Sequence, residues 1–118
     1  MTLCFSVPQA IMAARAGARY ISPFIGRFDD ISEDGVSQLG DIVEAIGNYD
    51  FSESTVRGER VEIIAASVRS PHHVTQAALA GADIATVPFA TLKKCVQHPL
   101  TDRGLEAFLK DWEKVQQA

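Results

Sequence analysis

Two arginines, Arg27 and Arg69, each follow a hydroxyl residue that closes a short β-prone stretch: Ser22 precedes the first and Ser67 the second. A guanidinium can pair two oxygens of one anion at once, and backbone N–H groups at helix starts carry partial positive charge. Arginine and hydroxyls at the ends of strands therefore suit a phosphate. Polar strand ends are common, however, and an arginine there also serves as a plain solvated charge, so spacing alone leaves both readings open. The remaining reactive side chains read as structural. A lysine nucleophile must be unprotonated near neutral pH, which takes burial or a cationic neighbour. Lys93 and Lys94 lie on a short surface helix, and Lys110 and Lys114 on the polar side of the last helix, so all four read as solvated. His72 and His73 begin a helix at adjacent, diverging positions and read as exposed helix-end residues; His98, before Pro99, reads as a turn residue. Asp29, Asp30, Glu33 and Asp34 fit loop and N-cap roles. Cys4 and Cys95 are isolated, with no Cys-x-x-Cys, and read as buried, reduced thiols; no metal or cofactor is expected.

The elements that must position these groups come from a duplication. The stretch Ala-Ala-x-Ala-Gly-Ala occurs at Ala13–Ala18 and again at Ala77–Ala82. Before each copy stand Ser-Val and a proline; after each come a β-prone stretch and Pro-Phe. Proline near the first helical position and glycine past the last mark helix ends. Each copy thus reads as strand, turn, helix, strand. Strands are expected at Thr2–Ser6, Arg19–Ser22, Arg60–Ala66 and Asp83–Val87. Helices are expected at Pro8–Ala16, Gly35–Ile46, from Pro71 to Gly81, at Ala90–Gln97 and at Arg103–Gln117. Asp34 and Ser70 are the expected N-caps, and Pro23–Glu33 and a mobile, polar Tyr49–Glu59 the expected loops. Leu105, Phe108, Leu109, Trp112 and Val115 share one face of the last helix, which either docks on the chain's own sheet or packs on a neighbouring subunit.

The fold class that follows is α/β, a (βα)4 half of a TIM-type (β/α)8 barrel with parallel strands and a C-terminal helix. A complete barrel needs ~250 residues, and this chain has 118. A single half-barrel domain over residues 1–118 divides into a first βαβα unit (1–48), a polar loop (49–59), a second βαβ unit (60–99) and the terminal helix (100–118). Parallel sheets do not tolerate open edges and bare faces, so a homodimer or higher homo-oligomer is expected to complete eight strands. A net charge of −4 argues against general nucleic-acid or anionic-membrane binding. No run approaches the ~18 apolar residues of a membrane span, nothing reads as a leader peptide, and a cytoplasmic location is expected.

The wording of the motifs goes further than their spacing. Ile21-Ser22-Pro23-Phe24-Ile25-Gly26-Arg27 with Asp29 resembles a signature of the transaldolase family, including its small fructose-6-phosphate aldolase-like members. Thr2-Leu3-Cys4-Phe5-Ser6, Ala65-Ala66-Ser67-Val68-Arg69, the stretch from Gly81 to Phe89 and that from His98 to Asp102 resemble further family motifs in order. The likeness runs over essentially the whole chain but covers strands five to eight of the family's barrel. Asp50–Glu59 departs from it, being longer and more polar. By resemblance, Ser22, Arg27, Ser67 and Arg69 are phosphate-binding positions, Thr2 holds the catalytic water, and Phe24 lines the active site. The family's Schiff-base lysine and its acid–base aspartate fall on earlier strands and have no counterpart here.

Three functions are therefore expected in turn. The first is a transaldolase-like half-barrel that binds a sugar phosphate without Schiff-base turnover. The second is the C-terminal part of a split or truncated aldolase that needs an N-terminal half. The third is a barrel fragment without a ligand.

Overall fold

Serine caps and glycine stops set the duplicated units in the computed structural model of the chain, which describes residues 1–118. Ser6 Oγ accepts the Gln9 N–H and opens α1 (Val7–Arg15); Ser70 Oγ accepts the His73 N–H and opens α4 (Pro71–Ala80). Gly81 closes α4 at φ +86°, a conformation that costs other L-residues a Cβ clash. Between the two units lie β1 (Tyr20–Ile21), α2 (Ile25–Asp30), α3 (Gly35–Gly47) and β2 (Glu62–Ala65). After α4 come β3 (Ile84–Ala85), α5 (Phe89–Cys95) and α6 (Pro99–Gln117).

The sheet is parallel, in the order β1-β2-β3, with Tyr20 opposite Glu62 and Ile64 opposite Ile84. This is an α/β arrangement of the partial-barrel kind, with successive parallel strands joined by helices. Its apolar core lies between the sheet and α1, α3 and α4, where Ala10, Ala14, Ile21, Leu39, Ile42, Ile63, Ala65 and Ala77 are buried. The stripe expected on α3 is present, and Asp34 accepts the N–H groups of Val36 and Ser37 at its start.

Three local expectations need correction. The Thr2–Ser6 strand narrows to one bridge between Cys4 and Pro23, because Leu3 turns to φ +52° and interrupts the ladder. It still runs beside β1: the Ser22 N–H donates to Met1 O, and the Cys4 N–H to Ser22 O. The Pro23–Glu33 loop contains α2, a six-residue helix that buries Ile25, Gly26 and Phe28. The Tyr49–Glu59 connection has no helix or strand, as expected of a loop; Phe51 is buried in it beneath Arg15, and Thr55 donates to Glu59 O at 2.6 Å. Of the two thiols, only Cys4 is buried; Cys95 is exposed.

α6 begins four residues before the expected start, with His98 Nδ1 accepting the Leu100 N–H as its cap. No residue of α6 is buried, so its apolar face docks neither on the sheet nor on any other element of the chain. Both residues of β3 are exposed.

Candidate functional site

The ends of β1 and β2 meet through backbone. The Ile25 and Gly26 N–H groups at the start of α2 donate to Ala66 O and Ser67 O at 3.0 and 3.1 Å. A Cβ on Gly26 would collide with Ser67 O and stand 2.5 Å from Arg69 Nε, so only glycine lets these loops approach this closely. Ser67 itself lies at φ +56°, a left-handed turn that ends β2 and is costly for a non-glycine residue. Gly26, Ser67 and Arg69 thus form one corner.

Arg27 leaves α2 on the exposed side and lies over the Phe24 ring, 5.8 Å from its centroid, and no carboxylate pairs with it. Phe24 is half-buried against Phe5, which also meets Phe28 edge-on at 5.4 Å. Phe5, Arg27, Phe28, Asp30, Ile31 and Glu33 line a groove beside the corner. Ser22 sits one residue before the Cys4–Pro23 bridge, its N–H donating to Met1 O and its carbonyl accepting from Cys4, so the exposed Thr2 belongs to the segment beside it. The residues picked from the sequence therefore gather at one end of the sheet. A second hollow, lined by Val43, Tyr49, Arg60 and Asp83 among others, contains none of them.

Three further residues belong to the corner, and sequence reasoning assigned them bland roles. Arg69 is paired with Asp30 through both guanidinium Nη atoms, at 2.5 and 2.8 Å. That pairing, foremost, holds the Asp30 carboxyl below its usual range and raises Arg69. His73 Nδ1 accepts the Arg69 backbone N–H at 3.2 Å, while Nε2 meets Asp29 Oδ2 at 2.9 Å. With Nδ1 as the acceptor, Nε2 is the nitrogen that faces Asp29 as donor. The other Asp29 oxygen accepts the Gly35 N–H at the start of α3. His73 is therefore a nearly buried strut joining α4 to α2 and α3, its side chain 12% exposed. A signal existed: His73 stands three residues after the Ser70 cap, the position from which a side chain reaches back to N–H groups before the helix.

The four lysines all lie on α5 and α6 and are exposed, as is the expectation for solvated charges. Burial pushes the Cys4 thiol up, and the thiol donates to Ser6 O, which disfavours the thiolate that a nucleophile needs. No group of three His, Cys, Asp or Glu side chains is placed to hold a metal ion. No helix is long and apolar enough to cross a membrane.

Comparison with known proteins adds an independent result. A family model for Transaldolase/Fructose-6-phosphate aldolase matches residues 1–118. Relatives named "Probable transaldolase" include one from Anaeromyxobacter sp. (strain K), 52% identical over 118 residues, which are all of this chain and 51% of that protein. One from Chelativorans sp. (strain BNC1) is 56% identical over 117 residues, 99% of this chain and 50% of its own. One from Thermus thermophilus is 58% identical over 115 residues, 98% and 48% respectively. The chain spans about half the length of the curated relatives it matches.

Proposed function

The chain belongs to the transaldolase/fructose-6-phosphate aldolase family, and from that we propose that its strand ends bind the phosphate of a sugar phosphate. On this reading Arg27, Arg69, Ser67 and Ser22 hold the phosphate oxygens, Phe24 lines the sugar, and Thr2 holds a water. The observation that carries it is the convergence of Gly26, Arg27, Ser67 and Arg69 where β1 and β2 end. Arg27 lines the same groove as Asp30, the partner of Arg69, so two guanidinium forks stand near one another, as recognition of a phosphate favours.

The 118 residues bind but do not turn over a substrate by themselves. Transaldolase chemistry passes through a lysine Schiff base, and the exposed lysines of α5 and α6 lack the burial that activates such a lysine. A second reading, that another half brings the lysine and the acid–base aspartate, draws on the half-length match to the relatives and the uncovered β3 and α6. Either way the half-barrel associates, as a homodimer or higher homo-oligomer or with that half.

Binding is tested by the melting temperature of the chain against inorganic phosphate and fructose 6-phosphate, since a ligand that binds only the folded state raises it. Arg27→Ala is expected to weaken the response roughly tenfold, the loss of about one charged hydrogen bond. Borohydride with fructose 6-phosphate is expected to leave no adduct. A stoichiometric adduct on Lys93 or Lys94 overturns the inactive half-barrel, and phosphate without effect on melting favours a ligand-free barrel fragment.

A further inference from the structure

Resting on the phosphate reading, we infer that Asp30 is an internal competitor, occupying the Arg69 guanidinium until a phosphate dianion displaces it and so disfavouring carboxylate ligands. The pairing is the one a phosphate would use. Both Nη atoms of Arg69 are engaged side by side with the two carboxylate oxygens, at 2.5 and 2.8 Å. No pair of Nη donors remains for a second planar anion while Asp30 is in place. Gly26 has no side chain to crowd the Arg69 Nε, and the Arg69 backbone N–H donates to His73 Nδ1.

Asp30 is also placed to yield. It is the last residue of α2, followed by Ile31 and by Ser32 at φ +64°, and its side chain is 54% exposed. An exposed pair of this kind is weak, so its carboxylate can swing into water when a stronger anion arrives. The Arg27 charge also reaches Asp30, and both line the same groove. A ligand carboxylate gains from Arg69 no more than Asp30 already supplies. A phosphate dianion, with more charge and a third oxygen for Arg27 or Ser67, gains more. Asp30 thereby sets a threshold of charge that a ligand must exceed.

The test is calorimetric titration of inorganic phosphate, and separately of acetate, into the full chain at constant ionic strength. Asp30→Asn is expected to bind phosphate about three- to fivefold more tightly than wild type, the strength of an exposed pair, and to gain measurable acetate binding. Glu33→Gln removes a neighbouring charge in the same groove without freeing an arginine, and is expected to change phosphate affinity less than twofold. The gain from Asp30→Asn is expected to vanish when combined with Arg69→Gln. Asp30→Ser, checked by circular dichroism alongside Asp30→Asn, guards against a folding defect in one variant. If phosphate binds but Asp30→Asn and Glu33→Gln behave alike, or the gain survives Arg69→Gln, this inference is overturned and the phosphate reading stands. No phosphate binding in any of these proteins overturns both.

Discussion

Asp34 shows how single side chains here translate into measurable behaviour. The Ser37 backbone N–H and hydroxyl, and then the Val36 N–H, hold its carboxyl below the usual range. A carboxyl depressed in the folded state takes up protons later than in the unfolded chain. Its contribution to stability is therefore present above the unfolded value of about 3.9 and is lost as pH falls below it, through the folded value. Asparagine keeps an oxygen to cap the helix but does not titrate. Thermal melts between pH 6 and pH 3 should show a smaller fall for Asp34→Asn than for wild type; equal falls would remove the argument. At this scale the sequence was partly legible. Asp34 and Ser70 could be picked as caps because capping is local, and Arg27 because the motif around it is continuous. Asp30 and His73 could not be given roles, since their partners are 39 and 44 residues away in the chain, at Arg69 and Asp29.

At the scale of elements, the helix caps do double duty. Ser70 both starts α4 and sets the turn from which His73 reaches Arg69 and Asp29. Ser70→Ala should lower stability by ~1 kcal/mol in urea unfolding, while Ser70→Gly costs only a few tenths. It should also weaken phosphate binding, because the strut behind Arg69 loosens; a Ser70→Ala chain as stable as wild type would refute the capping role. The long helices were readable because 3.6-residue periodicity and caps are written along the chain. α2 was not: six residues with Gly26 at the second position and a Pro23 lead-in carry loop chemistry by local rules. Its first N–H groups find Ala66 O and Ser67 O just past the end of β2, partners that local propensity cannot anticipate.

At the scale of the whole molecule, the shape is the informative quantity. The radius of gyration is 19.9 Å and the longest extent 69 Å, where a compact chain of this length would have a radius of about 13–14 Å. α6 accounts for the difference, a rod of about 28 Å that carries Leu105, Phe108, Leu109, Trp112 and Val115, all at least half exposed. Apolar surface on this scale favours association. Sedimentation at micromolar concentration should give a mass above the 12.8 kDa of one chain, and Phe108→Glu with Trp112→Glu should lower it. A wild-type monomer, with tryptophan emission unchanged by dilution, would rule the association out.

What the sequence determined by itself was the alternation of parallel strands and helices, the ends of the duplicated units, and the end of the sheet where arginine and serine gather. These depend on periodicity, caps and motifs spanning a few residues. Tertiary structure decided which arginine is free and which is already paired, that α2 is a helix, and that α6 stands away from the rest. Each of these depends on atoms far apart in the chain brought within hydrogen-bond reach, or on apolar surface left without a neighbour, and neither quantity is defined until the backbone has folded.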